Sequence, residues 1–397
     1  MINLTGRLKD HALTHGIDLI GITSAKPFII QNDIETVFDP KRLLNDAKAV
    51  IVTGFYMKEK HISSLSKSTK PSGRYNSYNV KAFMPMTIYH IRIIQNFLKH
   101  QGYKVLFDND SRIPYKIAAV RAGLGKYGKS SVVITKKYGS FVMFVPLITN
   151  APLDYEEFSI NETECGKCEM CIKSCPTQAI YAPFKLNRDL CITHWLWGNF
   201  APVNLREKQE NRLFGCGECV QACPKNKKLE PRDKSPVPLE NVSDNPELIP
   251  LITANKKYFQ KVIASFPLLA GTEAIRGNAI IALGNIADIS AISALEQTLK
   301  HFKPMIRAYS AWALSRIEVP NMNIILKNAL LTEKNRNVIK EIQNAIDYDE
   351  IDYSYNNKAR AKLHITAAKC IPSCWSARPT AHLPLLRSGK RCLAARC

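Results

Sequence analysis

The sequence predicts three consecutive parts: an α/β domain, a short cysteine-rich module and an all-helical repeat domain. Three observations support this prediction. Strand-like and helix-like segments alternate at the start of the chain, eight cysteines lie close together in the middle, and a helical motif recurs near the end. The expected parts are an α/β domain over 1–155, a cysteine module over 156–235, helical repeats over 245–350 and a basic tail over 351–397.

The first part has the pattern of a layered α/β domain. Apolar, β-branched segments predict strands at residues 18–23, 47–53 and 103–107. Amphipathic segments that end near glycines predict helices at residues 4–15, 87–100 and 114–123. We also expect residues 131–135 and 141–147 to form a β-hairpin. Alternation of this kind favours helices packed on a sheet.

The third part predicts stacked helix pairs. The segment Arg276-x-Asn-Ala-x-x-Ala-Leu-Gly284 is echoed 31 residues later by Arg307-x-Tyr-Ser-Ala-Trp-Ala-Leu-Ser315. Repetition of one helical unit at short period is typical of a HEAT-like solenoid. A plain helical bundle is the alternative. Residues 351–397 show no periodic pattern, which predicts a disordered extension.

Composition and charge narrow the class of protein. Hydrophobic residues make up 46% of the chain, which is typical of a globular protein. No apolar run approaches the ~18 residues of a membrane helix, and the N-terminus lacks a signal-peptide pattern, so we expect a cytoplasmic protein without a membrane partner. The 55 Lys and Arg residues exceed the 34 Asp and Glu residues, giving a net charge of +21. Such a surplus favours a polyanion such as nucleic acid as a partner, with a merely basic surface as the alternative.

Eight of the twelve cysteines form a pattern typical of iron–sulfur proteins. Cys165-x2-Cys168-x2-Cys171-x3-Cys175-Pro is the bacterial ferredoxin run, Cys216-x2-Cys219-x3-Cys223-Pro is a second run that lacks one member, and Cys191 stands between them. In a reducing compartment, grouped cysteines bind metal more often than they form disulfides. Eight thiolates suffice for two [4Fe–4S] clusters. Zinc is the alternative, but zinc sites require neither the third closely spaced cysteine nor the Cys-Pro pair.

In two-cluster ferredoxins the fourth cysteine of a run ligates the other cluster. The same exchange assigns Cys165, Cys168, Cys171 and Cys223 to cluster one and Cys175, Cys191, Cys216 and Cys219 to cluster two. Paired clusters conduct electrons without defining the reaction. Their reducing range suits a ferredoxin- or flavodoxin-type donor.

Further motifs resemble those of the epoxyqueuosine reductase family. They are Ala122-Gly-Leu-Gly-Lys-Tyr-Gly-Lys129, Gly139-Ser-Phe-Val, Cys191-Ile-Thr-His-Trp and the segment from Asn211 through the second cysteine run to Asn226. With the repeats, the resemblance covers roughly residues 1–345. It implies a cobalamin-binding α/β domain and the conversion of epoxyqueuosine to queuosine in the tRNA anticodon stem-loop, with electrons passing through the clusters to cobalamin. A carboxylic acid would protonate the departing oxygen.

The chain departs from the family pattern at two places, which indicates a divergent member. Counting back thirteen residues from Ala122, the position of the family's acid falls on Asn109, an amide that cannot donate the proton. Asp108 and Asp110 are therefore the candidate acids, with a turn and helix cap as the alternative. Only Arg74-Tyr75 remains of a longer motif in the first domain. The alternative functions are a related corrinoid reductase acting on a small molecule, and a non-catalytic electron-transfer protein.

Five further residues are candidates for contact with a cofactor. Gly123, Gly125 and Gly128 could approach a phosphate or corrinoid tail through backbone amides, and Lys129 adds positive charge. The alternative is a glycine helix stop and turn. His194 could line the cobalt face, with packing around a cluster as its alternative. Candidate contacts to tRNA phosphates, with ion pairs or solubility as the alternative, are Arg276, Arg307, Arg316, Lys225, Lys227 and Lys228.

Overall fold

The structure is a computed structural model, and it describes residues 3–29, 37–58, 70–76, 78, 80–108, 112–232, 234–320 and 322–347. All of these belong to one compact unit, Met1–Asp347. The predicted tail over 351–397 and the candidate acid Asp110 lie outside the described residues. Within the described part of the chain, every helix is too short or too polar to cross a membrane.

Most strands precede residue 150, and the others lie near the cysteines. In chain order they are β1 (Leu19–Ser24), β2 (Phe28–Ile29), β3 (Val37–Phe38), β4 (Ala49–Tyr56), β5 (Arg74–Tyr75), β6 (Val105–Phe107), β7 (Lys126–Tyr127), β8 (Val133–Ile134), β9 (Val142–Thr149), β10 (Ile180–Ala182), β11 (Lys185–Leu186) and β12 (Arg212–Phe214).

Helices flank the sheet and form most of the chain after residue 245. In order they are α1 (Leu4–Thr14), α2 (Val80–His100), α3 (Tyr115–Arg121), α4 (Met170–Lys173), α5 (Ile192–Trp195), α6 (Val203–Gln209), α7 (Glu218–Gln221), α8 (Leu248–Thr253), α9 (Lys256–Val262), α10 (Ser265–Leu268), α11 (Thr272–Ile286), α12 (Ile292–Thr298), α13 (Pro304–Leu314), α14 (Met322–Thr332) and a last helix over residues 336–347. Short 3-10 turns cover Pro40–Arg42, Arg188–Leu190, Pro224–Asn226 and Ile289–Ala291.

The N-terminal part is built on a four-stranded antiparallel sheet in the order β1-β4-β9-β6. Every residue of β4 is buried, because helices cover both faces of the sheet. Val50 and Val52 belong to the core with α3, whereas Ile51 belongs to the core with α1 and α2. This follows from the two-residue period of a strand, which points successive side chains to opposite faces. The predicted α/β part of the fold is confirmed.

Helix α2 begins at Val80, seven residues before the predicted start. The longer helix contains Pro85, and a proline inside a helix lacks an N–H and crowds the carbonyl four residues earlier. That carbonyl belongs to Lys81, and it accepts a hydrogen bond from the Glu240 N–H at 3.4 Å. A partner from a distant segment therefore helps the helix to tolerate Pro85.

The predicted hairpin of residues 131–135 and 141–147 is wrong. Strand β8 pairs with β7, and β9 lies in the sheet between β4 and β6. An isolated bridge links Thr135 to Gly139, which lies in the predicted turn rather than in the second arm. The reason is the continuous apolar character of β9, which suits a strand buried on both faces and paired on both edges.

The C-terminal helices share one hydrophobic core, and the repeated motifs lie on α11 and α13. These two helices pack closely, and a Cβ at Gly284 would lie only 2.8 Å from the Cα of Ala313. The same core includes Leu213 and Phe214 of β12, next to the second cysteine run. The helical region therefore supports the cysteine module directly.

Candidate cluster centres and active-site cavity

The two cysteine runs meet through the short helices α4 and α7, which contact each other. Cys171 lies in α4 and Cys219 in α7, while the remaining cysteines lie in the loops around them or at element ends. None of these eight cysteines forms a disulfide. Sequence positions more than 40 residues apart are thus brought to one place by the pairing of two short helices.

One group consists of thiols that raise the pKa values of their neighbours. Burial raises the pKa of Cys223, and the neighbouring thiols of Cys165 and Cys168 raise it further. Burial also raises the pKa of Cys171, with further contributions from Cys165 and Cys223. These four thiols are therefore close neighbours.

A second group is more deeply buried. Burial raises the pKa of Cys219 to about 12, and the thiols of Cys216, Cys191, Cys171 and Cys175 add to the effect. Burial raises the pKa of Cys216 as well, with Cys191 as a nearby thiol. Through Cys171, the second group lies beside the first.

The donor set fits iron–sulfur clusters better than single zinc ions. Thiols bind metal as thiolates, so raised pKa values at a buried thiol group call for a strong cationic centre. A zinc site requires neither the third closely spaced cysteine, Cys171, nor the Cys-Pro pairs at Cys175 and Cys223, whereas eight cysteines in this order match the ligands of two [4Fe–4S] clusters.

A cavity of about 500 Å³ lies between the sheet and the cysteine module. All four thiol residues that the spacing assigns to cluster two line it: Cys175, Cys191, Cys216 and Cys219. The opposite wall comes from β9 and α3, with Phe144, Met143 and Tyr115. A group bound in this cavity would lie directly beside the second set of thiols.

Two wall residues are fixed by hydrogen bonds to the segment that joins β7 to β9. The Tyr78 hydroxyl donates to the Ser140 carbonyl at 2.6 Å, and burial raises the pKa of Tyr78 well above its ordinary value. The Lys116 Nζ donates to the Ser131 carbonyl at 3.1 Å. Both residues line the cavity, and no sequence motif marks either of them as functional.

His194, a candidate cofactor contact, lies in the cavity wall. Its Nδ1 accepts a hydrogen bond from the Arg188 Nε at 3.0 Å. A neutral ring that accepts at Nδ1 carries its proton on Nε2, so His194 offers a hydrogen-bond donor rather than a metal ligand. Trp197 also lines the cavity, while the Trp195 indole N–H donates to the Asp189 carbonyl at 2.9 Å.

The three candidate glycines are packed against the protein itself. A Cβ would lie 2.5 Å from the Phe158 ring at Gly123, 2.5 Å from the Ile134 carbonyl oxygen at Gly125 and 2.7 Å from the Ile134 side chain at Gly128. The Lys129 carbonyl accepts from the Phe184 N–H at 2.9 Å. The close approach is thus between protein segments, and a cofactor contact at these four residues stays a prediction.

Asp108 is buried, and both of its carboxylate oxygens accept hydrogen bonds. One oxygen accepts from the Ile113 N–H at 2.8 Å, and the other accepts from the Arg112 Nε at 3.2 Å. Hydrogen bonds of this kind are typical of a carboxylate that caps a loop before a helix. The chain then reaches Tyr115 of α3, which lines the cavity.

The arginines of the repeats have partners within the protein. The Arg276 guanidinium donates to the carbonyls of Ile252 and Ala254, the latter at 2.7 Å. Arg307 donates to Glu333 at 2.6 Å, and Arg316 lies 3.2 Å from Glu207. These contacts favour a structural role. By contrast, Lys225, Lys227 and Lys228 are exposed.

Comparison with known proteins assigns the chain to a family. A profile described as a 4Fe-4S double cluster binding domain matches residues 164–226, the range that contains all eight cysteines. The epoxyqueuosine reductase of Bacillus subtilis (strain 168) is 30% identical over 378 residues, which cover 87% of this chain and 95% of the relative. The chain belongs to the epoxyqueuosine reductase family. The epoxyqueuosine reductase of Bacillus anthracis is 28% identical over 369 residues, covering 85% and 95%.

Solved structures of epoxyqueuosine reductases share the fold. One, in complex with a tRNA-Tyr epoxyqueuosine-modified stem loop, aligns with a TM-score of 0.75 at 28% identity over 87% of this chain and 98% of that one. Another, from Bacillus subtilis with its catalytic aspartate loop swung out of the active site, aligns with a TM-score of 0.74 at 29% identity over 86% and 98%. The predicted family and double cluster are confirmed, and the two alternative functions are not favoured.

Proposed function

We propose that this protein is an iron–sulfur oxidoreductase that converts epoxyqueuosine to queuosine in tRNA. The observation that carries the proposal is the cavity whose wall contains Cys175, Cys191, Cys216 and Cys219, in a chain of this family. The reaction consumes two electrons and two protons, and it turns the epoxide into a carbon–carbon double bond and water. Clusters beside the cavity are suited to deliver those electrons one at a time.

The cluster ligands follow from the two thiol groups. Cluster one takes Cys165, Cys168, Cys171 and Cys223, and cluster two takes Cys175, Cys191, Cys216 and Cys219. Cys165 contributes to the raised pKa values of both Cys171 and Cys223, and all four cysteines of the second set line the cavity. Both observations support this division. Since these last four cysteines line the cavity, a cluster held by them would supply electrons to a group bound there.

Cobalamin, which the family resemblance implies, fits the character of the cavity. The walls combine apolar surfaces from Phe144, Met143 and Trp197 with donors from Lys116 and His194. A large macrocycle with flat apolar faces and amide-bearing edges requires that combination. When bound, cobalamin supplies a strongly reducing cobalt centre. The segment Gly123–Lys129 leads into the wall residues Ser130 and Ser131, and we assign it the positioning of that wall.

The departing oxygen needs an acid, and we assign this function to Asp110. Both carboxylate oxygens of Asp108 are engaged by Ile113 and Arg112. A carboxyl group that already caps a loop is poorly placed to give up a proton to substrate. Asp110 is the other acid that the family pattern brings to this loop.

The remaining assignments concern organisation and partners. We assign cobalamin binding to 1–155, electron transfer to 156–235 and HEAT-like repeats to 245–350, the last supported by the matching positions of the two motifs on α11 and α13. The anticodon stem-loop of tRNA is the substrate, and a ferredoxin- or flavodoxin-type protein is the donor. We infer a cytoplasmic location from the tRNA substrate and the reduced thiols that the clusters require.

Anaerobic reconstitution tests the proposal. Protein loaded with iron, sulfide and cobalamin is incubated with dithionite and a stem-loop RNA that carries epoxyqueuosine, and the nucleosides are then separated by mass. We expect queuosine to replace epoxyqueuosine, and Cys219→Ser to abolish the conversion. The matched control is Cys370→Ser, a cysteine outside the two runs. Loaded protein that leaves epoxyqueuosine unchanged would contradict the proposal.

A further inference from the structure

The two thiol groups differ in their surroundings. The four cysteines of the second group line the cavity. The first group lies on a surface loop in which the residues between its cysteines, Gly166, Lys167, Glu169 and Met170, are exposed. An external reductant therefore reaches the protein at cluster one, and this inference rests on the proposed function.

The surface around cluster one carries exposed lysines and one exposed methionine. Met170, which is 46% exposed, directly precedes Cys171. Four exposed lysines and one exposed glutamate lie on the loop and α4 or just after Cys223. Together with the methionine they form the cluster-one patch, which consists of Lys167, Glu169, Met170, Lys173, Lys227 and Lys228.

Acidic residues next to the patch are already neutralised. Glu162 lies 2.9 Å from the Lys126 Nζ, and Glu164 lies 3.7 Å from both Lys126 and Lys225. Within the described part of the chain, the four patch lysines form no ion pair. The six residues of the patch include four lysines and one glutamate, so its side chains carry a net charge of +3.

We propose that the cluster-one patch docks an acidic one-electron carrier protein. Charge complementarity guides such encounters, raises their association rate and makes it depend on salt. Electron-transfer complexes are small and short-lived, and a flexible methionine suits an adaptable contact of that kind. In each encounter one electron leaves the carrier's reduced centre and enters cluster one. Two encounters supply the two electrons that the substrate consumes.

The patch is distinct from the cavity. None of its six residues is among the described residues that line the cavity. A carrier protein bound at the patch would therefore leave the cavity open to the substrate.

The test compares two reductants on one variant. Lys167→Glu/Lys173→Glu reverses two charges in the patch, and Lys9→Glu/Lys99→Glu makes the same change at exposed lysines of α1 and α2. With reduced flavodoxin as the carrier, we expect kcat/KM for the carrier to fall about 10-fold or more in the patch variant and its salt dependence to flatten. With dithionite, turnover, iron content and KM for RNA should match the control variant.

Any other outcome would contradict the proposal that the carrier docks at the cluster-one patch. An unchanged rate with flavodoxin would show that the carrier binds elsewhere. A raised KM for RNA in the dithionite assay would show that the patch binds RNA, and a slower dithionite reaction would show that the lysines act on the cluster itself. Bleaching of cluster absorbance by reduced flavodoxin in stopped flow tests docking separately. If the wild type fails to convert RNA with dithionite, that failure concerns the proposed function.

Discussion

Arg206 and Glu341 form a bidentate ion pair that joins α6 to the 336–347 helix. Both guanidinium-to-carboxylate distances are 2.9 Å, and the Arg206 side chain is fully buried. The guanidinium also lies over the rings of Phe200, Tyr309 and Trp312. Because α6 follows the segment that carries His194 and Trp197, this pair connects the helical region to one wall of the cavity.

Breaking this ion pair should be costly. Glu341→Gln leaves the buried guanidinium without its counter-charge, and we expect the free energy of unfolding to fall by about 3 kcal/mol. Denaturant titration of the loaded protein measures the change. The control is Glu207→Gln, which removes an exposed pair with Arg316 and should cost less than about 1 kcal/mol. Equal effects of the two substitutions would contradict the importance of burial.

Because the repeated helices pack closely, we expect alanine substitutions at Gly284 and Gly277 to lower the stability of the protein to different degrees. A Cβ at Gly284 would meet backbone atoms of Ala313 at 2.8 Å, whereas a Cβ at Gly277 would meet the Tyr309 ring at 3.1 Å. We expect Gly284→Ala to destabilise the protein by about 1–3 kcal/mol, since the backbone cannot yield cheaply. Gly277→Ala should be nearly neutral, because the gain in helix propensity offsets a small ring shift. Thermal denaturation of both variants compares the sites, and the reverse order would refute this packing.

The Arg307–Glu333 pair predicts a pH-dependent contribution to stability. Hydrogen bonds from Arg307, assisted by backbone N–H groups of Asn335 and Lys334, lower the pKa of Glu333 to about 2 from 4.5. The stabilisation, about 3 kcal/mol, is present above pH 4.5 and is lost as the pH falls towards 2. Glu333→Gln should therefore lower the melting temperature at pH 7 more than at pH 3. Glu296→Gln, at an exposed position on α12, serves as the control, and a pH-independent difference would argue against this pair.

Substitutions of the two candidate acids should cause different defects, in turnover for Asp110 and in stability for Asp108. We expect Asp110→Asn to lower turnover about 100-fold or more with unchanged iron content, because the departing oxygen loses its proton donor. Asp108→Asn should lower the melting temperature and change turnover little, since it weakens the loop cap seen at Ile113 and Arg112. Single-turnover assays with Asn109→Ala as the control distinguish these effects. Full activity of the Asp110 variant would reject our assignment.

Strong periodic patterns and cysteine spacing were the informative parts of the sequence. The apolar segment predicted as a strand at residues 47–53 overlaps β4 (Ala49–Tyr56), and the predicted helix ends at His100 as α2 does, because burial against one sheet leaves few options. The family and the double cluster followed from motifs whose chemistry allows little variation. Local spacing was sufficient there because bound metal centres organise such a segment.

Several features of the fold and the site could not be predicted from the sequence, because they depend on contacts that form only in the folded protein. Pro85 lies inside α2 because Glu240 satisfies the displaced Lys81 carbonyl. Arg188 reaches His194 through the 3-10 turn that precedes Cys191, and no motif announces that pair. The glycines at 123, 125 and 128 resemble a ligand loop in sequence, yet protein atoms fill the space beside them. Each case depends on a residue distant in sequence or on a local turn without a distinctive pattern.

Metal analysis of anaerobically purified protein tests the central assignment most directly. Two [4Fe–4S] clusters require about eight iron atoms and eight acid-labile sulfides per polypeptide, with a brown colour that dithionite bleaches. We expect those values in the wild type, and about half of them when the ligands of one group are replaced. Stoichiometric zinc, or colourless protein with about four iron atoms or fewer per chain, would contradict the double-cluster assignment.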